Sequence, residues 1–580
     1  MTLWGRNSEV KTEHTVAHLF SGVGGGSLGF SQARGEYMGK IGRFRTLCGI
    51  DGDPVVCRNY EQITGSKAVC LDLFSRQQYT DFHGHEPPED WQEATSADIW
   101  DAFGGEVPDV IFTSPPCKGF SGLLPEKSAK SKKYQALNLL TIRGIELVLT
   151  ACREYGGEIP TLFLLENVPR IMTRGKRILD RIKQVLRASG YVVSDNTHDC
   201  GELGGLGQRR RRYLLIARNE QRMPNFVYQP PRKRLKTIGD VIGPLPLPGD
   251  TAACGPLHRL PNLEWKTWVR LALIESGKDW RSLNELEWWN YRIEHEPRRG
   301  AWAVEDWNAP SRTVTGGAGP GRSNGVSAVS DPRIGLNEES THRSIYRISR
   351  WDETSQTVTG AVGPNNGAVC ISDPRLKERE NRHPGVYRVV RADESAPCVT
   401  GTRFGSGAIA LADPRCKTTL HPDSYGVQSW DEPAKAVRSA NRVMQSAASV
   451  SDPRCALSDE AGAEFFESAP AFPADSDRGV YLIIAEDGTW HRPLTTFELA
   501  MLQGFPAKLF NGLPFNLVGC SDAKAREFIG NAVPVEAAEA MGTVFLVALM
   551  AASAGIGFTL SYEAVWVRDE ADQLPTAMVH

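Results

Sequence analysis

A cysteine and a glutamate that follow two apolar runs are the residues best placed to do chemistry. The run at 109–113 predicts a strand that brings Cys117, after two prolines, to its carboxyl end, and the run at 161–165 brings Glu166 to the same edge. Ligand sites of open parallel sheets lie at this edge. A thiol there can act as a nucleophile and a carboxyl group as a proton donor. Taken singly, a cysteine is more often a small core residue and a glutamate a surface residue.

An arginine run enters a third apolar strand at 207–219. The two-residue period of a strand puts Gln208, Arg210 and Arg212 on one face, with Arg209 and Arg211 on the other. This alternation favours two arginines pointing into the site. A plain phosphate-binding patch or a solvated edge is the alternative.

A glycine-rich turn, HLFSGVGGGSLGF at 18–30, lies between a predicted strand and a predicted helix. Backbone at such a turn can approach NAD, FAD or S-adenosylmethionine closely, although a tight turn without a ligand has the same composition. Asp51 ends the next predicted strand, where it could accept from ribose hydroxyls, and Asp72 ends another short run, where it could accept from an adenine amine. The alternative for both carboxylates is a solvated loop.

The elements that must position these residues form an alternating pattern. Short apolar runs at 15–20, 46–50, 109–113 and 161–165 are separated by helical stretches, and residues 136–155 have apolar side chains at helical spacing. This pattern predicts βαβ units and a parallel sheet.

Four approximate repeats follow at about 307–455, in sequence rich in proline, glycine and tryptophan. Val-Thr-Gly anchors begin at Val314, Val358 and Val399, with a degraded copy at Val437, and each precedes a glycine- or serine-rich loop. An Asp-Pro-Arg triplet ends each copy, at Asp331, Asp373, Asp413 and Asp452. We expect each unit to be a hairpin with a glycine-rich tip. The units either stack as a scaffold or offer their loops to a DNA groove.

Composition predicts a soluble globular protein of two or more domains, with 580 residues, 41% of them hydrophobic and 23% charged. The net charge of -3 means that nucleic-acid contacts must come from local basic clusters. Twelve cysteines without a CxxC pair suit a reducing cytosol, and neither disulfides nor a metal site is expected. We expect a cytoplasmic protein without a signal peptide. The uncharged stretch 541–560 is interpreted as a buried helix rather than a membrane span.

Taken in order, the motifs resemble those of the DNA cytosine-5 methyltransferase family. They are the glycine loop, Asp51, Asp72, PPCKGFS, ENV, QRRRR, LTTFELAMLQGFP at 494–506 and GNAVP at 530–534. The resemblance implies an α/β fold, the class I methyltransferase Rossmann-like doubly wound sheet, with an inserted, mostly β, repeat-containing target-recognition domain. The expected parts are a first catalytic part at 1–223, a recognition region at 224–490, a catalytic return at 491–560 and a tail at 561–580.

The resemblance also implies S-adenosyl-L-methionine as cofactor and a covalent mechanism. Cys117 would add to carbon 6 of cytosine, Glu166 would protonate ring nitrogen 3, Arg212 would hold the carbonyl oxygen, and Arg210 would support Cys117 and Glu166. The cofactor would be held by Phe20, Gly22, Gly24, Gly25, Asp51, Asp72, Leu73, Pro115 and Asn531.

The implied partner is double-stranded DNA, whose target base must leave the stack to reach the site. The polar segment 121–134 has the character of a closing loop. Expected DNA-binding residues are Lys127, Lys130, Lys132, Arg209, Arg322, Arg403 and Arg442. The chain is expected to act as a monomer in a prokaryotic cell or a phage-infected host, and a restriction endonuclease partner is left open.

Three alternatives are weighed against this interpretation. An RNA cytosine methyltransferase shares the chemistry, but the long insert and the KGFS sequence after Cys117 favour DNA. A catalytically silent DNA-binding protein is disfavoured by the presence of Cys117, Glu166 and Arg212 together. A nicotinamide enzyme explains only the glycine loop.

Overall fold

The computed structural model describes residues 10–116, 131–224, 226–287, 290–295, 424–437, 446–453 and 473–555, and five short strands between 304 and 391. The chain divides into two compact units. Unit 1 comprises Met1–Arg259, Asp431–Arg442 and Thr495–His580, and unit 2 comprises Leu260–Trp430 and Val443–Leu494. Residues 224–259 and 431–442 therefore lie in the same compact unit as the first 223 residues.

Unit 1 is built around one eight-stranded sheet flanked by helices. Its strands are β1 (Glu13–Leu19), β2 (Arg34–Tyr37), β3 (Lys40–Asp51), β4 (Ala68–Cys70), β5 (Val110–Thr113), β6 (Leu162–Asn167), β7 (Tyr191–Asp199) and β8 (Arg211–Asn219). Its first helices are α1 (Gly25–Gln32), α2 (Pro54–Thr64), α3 (Arg76–His83), α4 (Ser96–Ala102), α5 (Lys132–Gly156), α6 (Lys176–Ala188), α7 (Cys200–Gly204), α8 (Ile238–Ile242) and α9 (Thr251–Cys254).

The strand order is β2-β3-β1-β5-β6-β8-β7, and β4 pairs with β3. Strands β4, β3, β1, β5 and β6 are mutually parallel, which confirms the predicted βαβ pattern. Strand β8 runs antiparallel to both β6 and β7. Because β8 follows β7 as an antiparallel neighbour, alternating helices could not predict this end of the sheet.

Both faces of the sheet are buried, as a doubly wound sheet requires. On β6, Phe163 and Leu165 pack with α5 and α6 on one face. Leu162 and Leu164 pack on the other face, where the C-terminal part of the chain supplies the cover. This confirms the predicted fold class.

The chain returns to unit 1 through α12 (Thr496–Leu502), α13 (Asp522–Asn531) and α14 (Val535–Ser553). The α13–α14 stretch is apolar and long enough to cross a membrane by composition alone. Met541, Phe545 and Leu549 of α14 are nevertheless buried in the core that also contains Phe30 of α1. A Cβ at Gly29 would lie 2.6 Å from Cβ of Ala538, so the two helices touch almost backbone to backbone. The predicted buried helix is confirmed as far as Ser553, and residues 556–560 of the predicted stretch lie outside the described part of the chain.

Unit 2 contains β9 (Leu263–Glu264), α10 (Trp265–Leu273), α11 (Trp280–Glu285), β10 (Tyr291–His295), β11 (Val304–Glu305), β12 (Ala328–Val329), β13 (Ile348–Arg350), β14 (Cys370–Ser372), β15 (Tyr387–Arg391), β16 (Val427–Gln428), β17 (Ser449–Asp452), β18 (Arg478–Gly479), β19 (Ile483–Ile484) and β20 (Trp490–Pro493). Six of these strands form a sheet in the order β10-β15-β19-β20-β17-β16. Its core contains Trp265, Trp268 and Trp490, and a fully buried ion pair joins Arg492 Nε to Asp452 Oδ2 at 2.8 Å.

Three of the four repeats are not the hairpins that the sequence predicted. In the first, second and fourth copies the two described strands pair in parallel, as β11 with β12, β13 with β14 and β16 with β17. The register is the same in each copy, because the residue paired with Val304, Ile348 or Val427 stands three places before the aspartate of Asp-Pro-Arg. Parallel strands cannot be joined by a tight hairpin turn, and most of the chain that connects these pairs lies outside the described residues.

Candidate functional site

The glycine-rich loop connects β1 to α1 at the carboxyl edge of the sheet. Gly22 and Gly24 have positive φ values of 53° and 91°, and Phe20 takes a positive φ of 53° although it has a side chain. A side chain at Gly24 would collide with Thr64, and one at Gly25 would collide with the carbonyl of Val533. Nothing lies within 4 Å of the position where a Cβ of Gly22 would stand. The loop therefore offers open, conformationally strained backbone at a helix N-terminus.

Asp51 ends β3 beside this loop, as the sequence predicted. Its carboxylate accepts hydrogen bonds from the N–H of Gly22 at 3.1 Å and from the N–H of Asp53 at 3.1 Å. Burial raises the pKa of Asp51, and these two donors act in the opposite direction. The adjacent Gly52 leaves space, since a Cβ there would meet no atom closer than 3.6 Å.

Asp72 follows β4, the neighbour of β3. It accepts from the N–H of Phe74 at 3.0 Å and from the indole N–H of Trp91 at 3.1 Å. Leu73, predicted to contact a cofactor, is buried in the core and its carbonyl accepts from Arg143. Asp51 and Asp72 are thus held rigidly at the ends of adjacent strands, where oxygens with further acceptor capacity can receive hydroxyl or amine groups.

Glu166 and Asn167 end β6, next to β5 in the sheet. The Asn167 amide donates to the carbonyl of Pro115 at 3.4 Å and so ties the two strand ends together. Cys117 lies outside the described residues, which stop on this side at 116. The structure brings Pro115 and Glu166 to one edge, and the role of Cys117 stays a prediction.

Arg212 and Glu166 form an ion pair at the site. Arg212 Nε lies 3.1 Å from Glu166 Oε1, and both side chains are mostly buried. Within the described chain no donor is aligned for a hydrogen bond with Oε1. Burial raises the pKa of Glu166, and the charges of Arg212 and Arg210 oppose that shift. A carboxyl group in this environment can hold a proton and donate it to a ligand.

The alternation predicted for the arginine run is confirmed. Gln208 and Arg210 are buried, whereas Arg209 and Arg211 are exposed. The Arg210 guanidinium donates to the main-chain carbonyls of Val437 at 2.7 Å and of Gly530 and Ala532 at 3.0 Å each. Arg210 thus connects the arginine strand to the residues on both sides of Asn531.

Gln208 forms a second connection that sequence reasoning did not assign. Its Nε2 donates to the carbonyl of Leu502 and to Oε1 of Gln503, both at 2.7 Å. Its Oε1 accepts from the N–H of Val437 at 2.9 Å. Gln503 in turn donates to the carbonyl of Ile529 at 2.7 Å. A buried glutamine flanked by arginines gives no separate signal in one sequence.

His198 is a further residue that the sequence did not reveal. It pairs with Arg212 in the β7–β8 register, and its Nε2 is buried without a hydrogen-bond partner in the described chain. Burial, assisted by the charge of Arg212, lowers the pKa of His198 to about 4. The imidazole beside Arg212 is therefore neutral at physiological pH.

Of the residues predicted to contact DNA, two are described by the structure and five are not. Lys132 is exposed but begins α5, so the predicted closing loop 121–134 ends earlier than expected. The exposed side chain of Arg209 is available to a ligand. Lys127, Lys130, Arg322, Arg403 and Arg442 lie outside the described residues. Among the residues that are described, no group of histidine, cysteine or acidic side chains could hold a metal ion.

The sequence matches the model of the C-5 cytosine-specific DNA methylase family over residues 14–315 and 414–546. It is 26% identical over 276 residues to the type II methyltransferase M1.HphI of Haemophilus parahaemolyticus, covering 47% of this chain and 63% of that protein. It is 27% identical over 257 residues to the type II methyltransferase M.XorII of Xanthomonas oryzae, covering 43% and 49%. It is also 27% identical over 235 residues to DNA (cytosine-5)-methyltransferase 1 of Mus musculus, covering 38% and 12%. The matches thus span less than two thirds of these curated relatives.

Proposed function

We propose that this chain, which belongs to the C-5 cytosine-specific DNA methylase family, transfers a methyl group from S-adenosylmethionine to carbon 5 of cytosine in double-stranded DNA. The observation that carries the proposal is the buried Glu166–Arg212 pair at the strand end next to Pro115. A pyrimidine with an acceptor nitrogen beside its carbonyl oxygen complements a protonated carboxyl group beside a guanidinium.

The residues at the glycine loop fit the proposed cofactor. Gly22 leaves its surroundings open, and Asp51 and Asp72 present fixed carboxylates at adjacent strand ends. Asp51 would bind the ribose hydroxyls and Asp72 the adenine amine, with Asn531 near the methionine part. When bound, the cofactor supplies an electrophilic methyl group.

Glu166 and Arg212 would prepare the cytosine for this transfer. Carbon 5 is a weak nucleophile until another group adds to carbon 6 and negative charge moves into the ring. Glu166 would donate its proton to nitrogen 3 as that charge develops, and Arg212 would stabilise the carbonyl oxygen. Both groups are held before the substrate arrives, so little reorganisation is needed.

Cys117 is the group that we propose adds to carbon 6. Its thiolate would form the carbon–sulfur bond as nitrogen 3 is protonated. After carbon 5 has gained the methyl group, a base removes the proton from carbon 5, and elimination breaks the carbon–sulfur bond and releases Cys117. The target base must leave the helix for this chemistry, so we propose base flipping.

We further propose that the repeat region reads the DNA sequence. The chain would act on the DNA of a prokaryotic or phage-infected cell, in the cytoplasm, and as a monomer. A restriction endonuclease of the same specificity is a partner to test, because type II methyltransferases are among the relatives.

Expression in cells without other cytosine methylation tests the proposal directly. Bisulfite sequencing of the host DNA should show protected cytosines in defined sequence contexts, and purified protein should transfer radiolabelled methyl groups to duplex DNA but not to transfer RNA. Labelling of RNA alone would overturn the DNA assignment. The absence of any labelling, with cofactor binding intact, would favour a silent DNA-binding protein.

A further inference from the structure

The chain that leaves β6 after Glu166 follows a nearly helical path away from the site. It passes through a short 3₁₀ turn, Pro169–Met172, and enters α6. The N–H of Arg174 donates to the carbonyl of Arg170 at 2.9 Å, which is the four-residue spacing of an α-helix. The turn and α6 therefore present their side chains almost as one helix would.

One face of this path is fixed in the core of unit 1. Its apolar side chains recur at helical spacing and are buried in the cluster that also contains Leu165 of β6; they are Ile171, Leu179, Ile182 and Leu186. Because this face is anchored, the direction of the opposite face is set by the core.

Four arginines lie together on the side that faces solvent. Each follows the one before it by three or four residues, the spacing of neighbours on one helix face. All four are exposed, and we call them the arginine row: Arg170, Arg174, Arg177 and Arg181. The row begins four residues after Glu166, at the carboxyl edge of the sheet.

The surface around the row carries a strong positive charge. Residues 169–188 include seven basic side chains and one acidic side chain, Asp180, although the whole chain has a net charge of -3. The 3₁₀ turn also packs beside β8, at whose start Arg211 is exposed. Like charges at helical spacing repel one another. A polyanion bound along the row would relieve this repulsion.

We propose that the arginine row binds phosphates of the DNA backbone beside the target cytosine. The inference rests on the proposed DNA methylation and adds a surface that contacts the substrate. The duplex must lie close to the edge where Glu166 and Arg212 form their pair, and the row begins at that edge. Arginine contacts to phosphates position a duplex without reading its sequence. The row therefore holds the backbone while the cytosine leaves the stack.

Fluorescence anisotropy with the full-length protein and a labelled duplex DNA of mixed sequence tests the proposal at several salt concentrations. The double variant Arg174→Ala, Arg177→Ala should bind about tenfold more weakly at low salt. The slope of log affinity against log salt concentration should become shallower by about 1 for each lost contact. The sequence context of methylation and the affinity for S-adenosylmethionine should stay the same, because the row contacts phosphates.

Arg177→Glu separates DNA binding from a structural role. Position 177 lies in the first turn of α6, where the partial positive charge of the helix N-terminus favours an acidic side chain. The glutamate variant should therefore keep or raise the melting temperature and yet bind DNA more weakly than Arg177→Ala. Arg187→Ala is the matched control, because Arg187 is exposed on α6 but lies outside the row. It should bind DNA as the wild type does.

Unchanged affinity and salt dependence in the double variant would overturn the proposal, as would an equal loss of affinity in Arg187→Ala. A changed methylation motif would assign base contacts to the row, and a loss of affinity confined to transfer RNA would assign the row to RNA; either result would also overturn it. A wild type that binds duplex DNA through the row but transfers no methyl group would instead contradict the proposed function.

Discussion

At the residue scale, the site pairs the buried carboxyl group of Glu166 with the guanidinium of Arg212. Burial raises the pKa of Glu166, as general-acid chemistry requires, and the charge of Arg212 opposes this shift. Neutral His198 lies opposite Arg212 and adds no competing charge. The balance between burial and ion pairing sets the pH range in which the site can work.

Replacing Glu166 by glutamine should lower the rate of methylation by about 10²- to 10⁴-fold, because the amide cannot transfer a proton. Since burial raises the pKa of Glu166, wild-type activity should fall as pH rises through that pKa and the carboxyl group loses its proton. The high-pH decline should be absent from the residual activity of the variant. Single-turnover rates across pH measure this, with exposed Glu158→Gln as the control. An unchanged pH profile in Glu166→Gln would assign the proton to another group.

Replacing Cys117 by alanine should abolish methyl transfer and leave cofactor binding nearly intact, because the thiol contacts the base. Duplex DNA containing 5-fluorocytosine should trap the wild type covalently, and the adduct can be seen by denaturing electrophoresis and located by peptide mass spectrometry. Cys254→Ala, which removes a buried thiol in α9, should still form the adduct. Methylation by Cys117→Ala would refute the covalent mechanism.

At the scale of elements, the parallel strands were predictable because short apolar runs alternate with segments whose apolar residues have helical spacing. No prediction was made from the sequence for the direction of β8, which pairs antiparallel, and the hairpin prediction was wrong for three repeats, in which two short strands pair in parallel. Glycine-rich sequence suits a hairpin tip and a crossover equally well, and only the register distinguishes them. The positions of Asp51, Glu166 and Arg212 followed from strand ends. The bonds from Gln208 and Arg210 to Val437 join residues more than 200 positions apart, which no local pattern encodes.

The positions of Asp51 and Asp72, at the ends of β3 and β4, lead to a prediction about cofactor affinity. Asp51→Ala and Asp72→Ala should each weaken S-adenosylmethionine binding by about 1 to 3 kcal/mol, the usual cost of an unpaired polar group. Asp51→Ala should also loosen the glycine loop, because the N–H of Gly22 loses its acceptor. Isothermal titration calorimetry measures both effects, with exposed Glu89→Ala as the control. Unchanged affinity in both variants would exclude these carboxylates from the cofactor site.

The contact between α1 and α14 carries a prediction about stability. Gly29→Ala places a methyl group against Ala538 and the backbone of α14, so it should destabilise the protein by about 1 to 3 kcal/mol. Gly52→Ala is the control, because its Cβ would meet only ordinary contacts. Urea unfolding of both variants gives the comparison, and equal midpoints would mean that α14 shifts to accept the methyl group.

At the scale of the whole molecule, a net charge of -3 means that the proposed DNA binding would depend on local basic groups. Contacts to phosphates and contacts to bases then have different signatures. Losing a phosphate contact weakens binding to all sequences and reduces the salt dependence, whereas losing a base contact changes sequence preference.

Arginines in the repeat loops should therefore behave as readers of bases. Arg322→Ala, Arg403→Ala and Arg442→Ala should each relax preference at one position of a motif, at a cost of about 1 to 3 kcal/mol. Methylation profiling of a random library at two salt concentrations separates this result from uniform weakening. The same motifs in all three variants and the wild type would leave the repeats as a scaffold.

The packing of α14 on α1 also affects how the protein folds during its synthesis. On the ribosome, the sheet face around Val16 and Phe30 emerges early, and its apolar partners Met541 and Phe545 emerge only after the whole of unit 2. During that interval an incomplete core is open to water and to other chains, which is the condition under which nascent proteins aggregate. Unit 1 must therefore finish folding late in synthesis, and its yield in cells should depend on chaperones that shield this face until α14 has been synthesised.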